Sequence, residues 1–338
     1  MRELRILALT RNADSPSFQR RLADYVGPLS KRGIELVCGV MPRGGDKSSL
    51  LAEVRRCDGV LWHRYLMPPW TAWRWRRAAK RIIFDFDDPI IYSTRDGGRP
   101  SLSRRFKFGT FLRRCDAALA ASEYLAQLAR RFCRQVFVHK MAVEPPASPP
   151  QRAGLPGAAT LLWLGSRPTM RYLSPLMPTL ERLADLRPDV SLRLVAHEPI
   201  HSRAIKIDYR PWSPDEQDQA LRECDIGLCP MPDTPWTRGK CPYKVLQYMA
   251  NSMAWIGSAV GENLAMAGDA QSPRGLCAAS QDQWIAALLR FIDDVELRRR
   301  VGELALEHVR RYHGIDALAD RLADLIRQVI DQPQCKVQ

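Results

Sequence analysis

Between Pro145 and Pro150 four of six residues are proline, and Gly154, Pro156 and Gly157 follow closely. Proline donates no backbone hydrogen bond and fixes its own φ, so neither a helix interior nor a central strand survives such a stretch. It reads as a semi-rigid linker. It divides the 338 residues into halves that are each long enough to bury a core. The expected organisation is an N-terminal unit over 1–145, the linker over 146–158 and a C-terminal unit over 159–315. A closing helix and tail over 316–338 packs back on the first unit.

Both halves carry the same pattern. In the first, apolar runs at 4–9, 34–40, 59–62, 81–86, 117–121 and 136–138 read as buried strands. Amphipathic stretches at 18–32, 48–56, 70–80, 102–114 and 124–132 separate them. In the second, strands are expected at 160–164, 191–195, 205–208, 226–229 and 254–256, with helices between and a helical run from 281 onward. Near-continuous apolar strands separated by helices specify a parallel sheet covered on both faces. The expected fold class is therefore α/β, two doubly wound Rossmann-like domains facing a central cleft at their carboxyl edges.

Hydrophobic residues make up 46% and charged residues 26% of the sequence, which supports packed cores and excludes a disordered chain. No apolar run approaches the about 20 residues of a membrane helix. The opening Met1-Arg2-Glu3-Leu4 begins a strand rather than a secretion signal. The nine cysteines are scattered without C-x-x-C pairing, so zinc and a disulfide framework are not expected and a cytoplasmic location is. The net charge of +14 is one-sided. Residues 1–150 hold 28 Lys and Arg against 14 Asp and Glu, whereas residues 151–338 hold 23 of each. The two halves thus present different surfaces.

The segment WTRGKCPYKVLQYMANSMAWIGSAVG, residues 236–261, places Lys240 and Lys244 beside a helix expected over 242–250. A strand at 226–229 precedes it and Pro242 suits its first turn. Lysine at a helix N-terminus opposes the macrodipole unless an anion is bound there. Spacing alone leaves two readings open, a phosphate site and a solvated helix end whose lysines reach water.

At this point the sequence resembles a known family. RECDIGLCPMPDTPWTRGKCPYKVLQYMANSMAWIGSAVGEN is similar to the nucleotide-sugar segment of GT-B glycosyltransferases of group one, the retaining family-four type. DGVLWHRYLMPP and RIIFDFDDPIIY resemble its N-domain segments, LLWLGSRPTMRYLSPL the opening of its C-domain, and residues 284–322 its closing helices. The resemblance implies transfer of a glycosyl group from a nucleotide-diphosphate sugar to a glycan or lipid-linked acceptor, with retention and without a metal or other cofactor. It places Gly165, Ser166, Arg167, Asp233, Arg238, Lys240, Lys244 and Gln247 around the donor. Relatives carry two glutamates eight positions apart here, where this chain has Gly239 and Gln247. The basic pair that follows the first C-domain strand is displaced to Arg167 and Arg171. These departures keep a catalytically silent scaffold of the same fold as the alternative.

In the first half, His63 and Arg64 end one strand and Asp85, Asp87 and Asp88 another, so all reach a carboxyl edge. The resemblance makes His63, Arg64, Asp87 and Asp88 the catalytic candidates. Asp-x-Asp is also a pattern for a divalent metal, and a purely structural role stays open for the histidine and the aspartates. The other histidines, His139, His197, His201, His308 and His313, are read as scaffold or surface. Aromatic and basic residues interleave at 70–81 and 104–114. Such helices suit an anionic membrane surface, with Trp73, Trp75, Arg76, Arg77, Phe106 and Phe108 as the contacts, although several could be core. Nucleic acid would attract the same charge, but no nucleic-acid-binding motif accompanies it and none is expected as a partner.

Overall fold

The computed structural model describes residues 2–42, 44, 47–93, 98–150 and 156–332. Gly154 of the linker, with 151–155, and the tail 333–338 lie outside the described residues. By contacts the chain forms two units. One comprises Met1–Ala142, Thr234–Cys241 and His313–Gln338, the other Val143–Asp233 and Pro242–Tyr312.

The first unit is built on β1 (Leu4–Thr10), β2 (Ile34–Val40), β3 (Gly59–His63), β4 (Ile82–Phe86), β5 (Ala117–Ala120) and β6 (Val136–Val138). All pair in parallel, in the order β2-β1-β3-β4-β5-β6. Its helices are α1 (Pro16–Arg21), α2 (Val26–Ser30), α3 (Ser48–Arg56), α4 (Pro69–Ala78), α5 (Leu102–Leu112) and α6 (Glu123–Arg130).

The second unit holds β7 (Ala159–Gly165), β8 (Val190–Ala196), β9 (Lys206–Pro211), β10 (Ile226–Cys229), β11 (Ala254–Ser258) and β12 (Leu276–Ala278). They too are parallel, ordered β12-β11-β10-β7-β8-β9. Helices α7 (Met170–Leu173), α8 (Met177–Leu186) and α9 (Pro214–Glu223) precede a short α10 (Pro235–Arg238), which is grouped with the first unit. After it come α11 (Tyr243–Ala250), α12 (Glu262–Ala267), α13 (Gln281–Asp293), α14 (Val295–Tyr312) and α15 (Ile315–Asp331).

Strand order decides where ligands can bind. In the first sheet the chain moves outward from β1 to β2, then crosses back to β3 and continues the other way. The order reverses between β1 and β3, and in the second sheet between β7 and β10. Loops leaving adjacent strands in opposite directions open a crevice at the carboxyl ends.

Each sheet is covered on both faces, as continuous apolar strands require. On one face of the first sheet Trp62, Phe84, Phe86, Phe108 and Phe111 pack edge to face. The other face is covered in part by α15, whose Leu318, Leu322, Ile326 and Val329 join Ile6, Ala8, Leu22 and Ile34. In the second unit Tyr248 of α11 donates to the carbonyls of Leu228 at 3.2 Å and Leu162 at 3.4 Å. Gly227 makes this possible, since a Cβ there would come within 2.4 Å of the Tyr248 ring. One helix is thereby fastened over β7 and β10, the strands of the reversal.

Three features differ from expectation. The helix expected over 18–32 is broken into α1, a single 3-10 turn (Ala23–Tyr25) and α2. Leu22 leaves the helical region at φ −133°, and Pro28, in the first turn of α2, cannot donate to Asp24, so α1 and α2 do not join into one helix. The short edge strand β12 was not expected, because three residues carry too little periodicity to stand out. The expected loop over 231–239 contains α10, capped by Thr234, which accepts from Thr237 N at 3.2 Å.

α14 passes close to the end of α11, and a Cβ at Gly302 would lie 2.1 Å from the Ser252 carbonyl oxygen. Gly302→Ala should therefore cost about 1–3 kcal/mol by forcing the helices apart. Urea unfolding of the variant measures it, and unchanged stability would refute the close approach.

Candidate functional site

The carboxyl edge beside the first sheet's reversal brings the four catalytic candidates together. His63 ends β3 and Arg64 follows it, while Asp87 and Asp88 follow β4, which holds Asp85. His63 Nδ1 lies 2.8 Å from Asp85 Oδ2, and both side chains are buried. An ionised carboxylate only accepts, so Nδ1 carries the hydrogen. Nε2 then faces Ser17 Oγ at 3.0 Å, and Ser17 Oγ donates to Asp87 Oδ2 at 2.7 Å. Arg64 pairs with Asp88 and lies 3.4 Å from Asp87 Oδ1, which accepts no hydrogen bond among the described residues.

Two of these partners come from α1, which sequence reading did not single out. Ser17 is one. Arg21 is the other, with a side chain wholly shielded from solvent and Nε 2.9 Å from each oxygen of Asp85. Its Nη1 donates to the His139 carbonyl at 2.9 Å. Nothing distinguished Arg21 among 51 basic residues. The available signal was its place, one helical segment after β1 at the reversal.

Electrostatics follow from burial and pairing. Burial alone would raise the Asp85 pKa, but the Arg21 charge and the hydrogen bonds from His63 and Arg21 hold it well below the usual carboxylate range. Burial works against the Arg21 and Arg64 charges too, yet Asp85 raises the first above its ordinary value, and Asp87 and Asp88 raise the second. Arg64 also sits at φ 56°, with the Tyr65 N–H donating to the His63 carbonyl at 2.6 Å. That is a γ-turn of the strained, positive-φ kind, such as structures keep where a side chain must be aimed.

The second sheet's reversal holds the donor candidates of the second unit. Gly165 ends β7 and Ser166 opens the turn after it. A Cβ at Gly165 would meet the Trp163 ring at 1.9 Å, so glycine is required by packing. Lys244, in the first turn of α11, places Nζ 4.2 Å from the centre of that same ring. This cation–π contact holds the ammonium over the indole face. Gln247 lies one turn further along the helix, half-buried. Pro242 stands at the N-cap, one position before the expected first turn, and no side chain caps the helix. Arg167 pairs with Glu198 at 2.8 Å and is largely exposed, as is Asp233.

Arg238 and Lys240 belong to the first unit, together with α10. In that segment Gly239 is buried, and a Cβ would stand 2.8 Å from the Tyr124 ring and 3.0 Å from Pro89. The position where the resembled family carries glutamate has no room for a side chain.

Two of the expected membrane contacts are overturned. Trp75 and Phe108 are 2% and 1% exposed and belong to the core, because α4 and α5 turn those positions onto the sheet. Arg76 is half-buried and bound to Asp116 at 2.5 Å. Trp73, Arg77 and Phe106 are exposed. Among the described residues no helix is long and apolar enough to cross a membrane. No cluster of three His, Cys, Asp or Glu is arranged to hold a metal ion among them.

No family model and no curated protein matches the sequence. Solved structures do match its fold. Sucrose-phosphate synthase from Thermosynechococcus elongatus superposes with a TM-score of 0.72 at 13% identity, over 96% of this chain and 99% of that one. HepE from Anabaena, solved with UDP and glucose, gives 0.71 at 10% identity, over 96% and 100%. A glycosyltransferase from Rickettsia africae gives 0.69 at 12% identity, over 98% and 100%. The chain therefore has the fold of the GT-B glycosyltransferases, two Rossmann-like domains with a six-stranded parallel sheet each.

Two buried histidines outside the cluster make stability depend on pH. His139 is pushed down to about 3 by burial and then by the Arg21 charge, and His313 to about 4 by burial. In the unfolded chain each takes up a proton near pH 6.5. Below that pH the unfolded state binds more protons, so stability falls as pH drops from about 6.5 towards these values. His139→Phe should flatten the decline in urea-unfolding free energy over that window. An unchanged slope would remove His139 as its source.

Proposed function

We propose that the protein transfers a glycosyl group from a nucleotide-diphosphate sugar to an acceptor hydroxyl. The observation that carries this reading is the second sheet's reversal. There a Gly165-Ser166 turn and the uncapped start of α11 share an edge, with Lys244 held over Trp163. Backbone N–H groups and a fixed ammonium at such a position suit the charge that develops on a departing diphosphate. HepE, which has the same fold, was solved with UDP-glucose and with UDP and glucose. On this reading Lys240 and Arg238 also serve the donor, Gln247 holds ribose hydroxyls and Asp233 the sugar. Transfer proceeds with retention and needs no metal, because fixed cations face the phosphates.

His63 and Asp87 act on the acceptor side. Both already converge on one hydroxyl, that of Ser17, as they would on a sugar hydroxyl. Arg64, paired with Asp88, lies against Asp87 and holds it in place. The acceptor is a glycan or a lipid-linked glycan at the inner face of a membrane.

A second reading, a silent scaffold that binds a glycan or a protein partner, is favoured by one observation. Gly239 leaves no room for the carboxylate that relatives carry there. A thermal-shift screen of nucleoside diphosphates and nucleotide sugars tests the proposal. A ligand at about a hundred times its Kd should stabilise by roughly 2.7 kcal/mol. If none raises the melting temperature, the donor reading falls.

With a nucleotide in hand, Lys240→Ala and Lys244→Ala should each weaken diphosphate binding by about 1.5–3 kcal/mol. Titration calorimetry measures the loss, and unchanged affinity in both variants would refute the lysine assignment. Gln247→Ala should cost less, since only neutral hydrogen bonds go.

A further inference from the structure

Helices α4 and α5 pack side by side in the first unit, and neither contains an acidic residue. Between them they carry Arg74, Arg76, Arg77, Arg104, Arg105 and Lys107. Each helix has two faces. Ala72, Trp75 and Ala78 turn inward on α4, as do Phe108, Phe111 and Leu112 on α5. Outward on α4 lie Trp70, Trp73, Arg74 and Arg77, spaced as one stripe. Leu102, Arg105 and Phe106 form the corresponding stripe on α5.

The outward apolar residues are the anomaly. Trp70 is 74% exposed, Trp73 54%, Leu102 83% and Phe106 62%. Burial inside would have been favourable for all four, and clustered exposure of such groups marks an interaction surface. Arginine sits beside each pair, with the Arg77 guanidinium 4.8 Å from the Trp73 ring centre. The unit that carries them holds twice as many basic as acidic residues over 1–150, so a partner must be anionic and accept aromatic side chains.

We propose that the outward faces of α4 and α5 dock on an anionic lipid bilayer. Trp70, Trp73, Leu102 and Phe106 enter the headgroup boundary, and Arg74, Arg77, Arg104 and Arg105 meet lipid phosphates. The argument uses this surface alone and is independent of the glycosyl-transfer reading.

Vesicle sedimentation of the full chain, without nucleotide or acceptor, tests it. The protein should pellet with phosphatidylcholine vesicles that contain phosphatidylglycerol, should not pellet with phosphatidylcholine alone, and should be released by salt. Arg74→Gln with Arg77→Gln should lower partition roughly thirtyfold, taking about fivefold per charge. Trp70→Ser with Trp73→Ser should lower it as well. All four side chains are exposed, so unchanged melting temperatures are expected and serve as the folding control. No binding, equal binding to neutral vesicles, or full binding by both double variants would overturn the proposal. So would self-association that the tryptophan variant abolishes, or salt-sensitive binding to a single-stranded oligonucleotide without vesicle binding.

Discussion

A guanidinium and a carboxylate, both removed from water, hold the carboxyl edge of the first sheet together. Arg21 and Asp85 are each fully shielded, and a buried charge is tolerated only when its partner is present with good geometry. Asp85 belongs to β4 and Arg21 to the helix after β1, so the pair ties the two sides of the reversal. The other groups hang from it. Asp85 fixes the His63 ring through Nδ1, His63 meets Ser17, and Ser17 meets Asp87. Loss of either charge would disturb the whole series, not one contact.

The second unit solves the same positioning task with apolar matter. There the edge is set by aromatic rings seated over glycines, Tyr248 over Gly227 and Trp163 over Gly165. A ring over a missing Cβ is rigid and needs no desolvated charge. Lys244 is then located by the face of an indole. The contrast matches the charge distribution, with all of the excess positive charge in the first half and none in the second.

Strands were legible because burial on both faces leaves continuous apolar runs, as in Ile226–Cys229, which falls where the apolar run places it. Helix interiors were legible for a similar reason, and ends less so, as the break at Leu22 shows. In the first unit's cluster His63, Arg64, Asp87 and Asp88 were visible because they stand at the ends of apolar strands. Ser17 and Arg21 were not, since a residue that matters through a partner 46 or 64 positions away leaves no local pattern. Trp75 and Phe108 were misassigned for the opposite reason. Aromatic residues among arginines look alike on either face of a helix until the sheet shows which face is inward.

The last helix has a consequence for how the chain is made. One face of the first sheet is finished by α15, yet residues 143–312 are translated between that sheet and this helix. At about 5–20 residues per second, the sheet completed at β6 waits on the order of ten to forty seconds for this cover. During that time the nascent first unit has a completed face and an open one. The open face is a natural target for chaperones, and the first unit is closed only after α15 has left the ribosome.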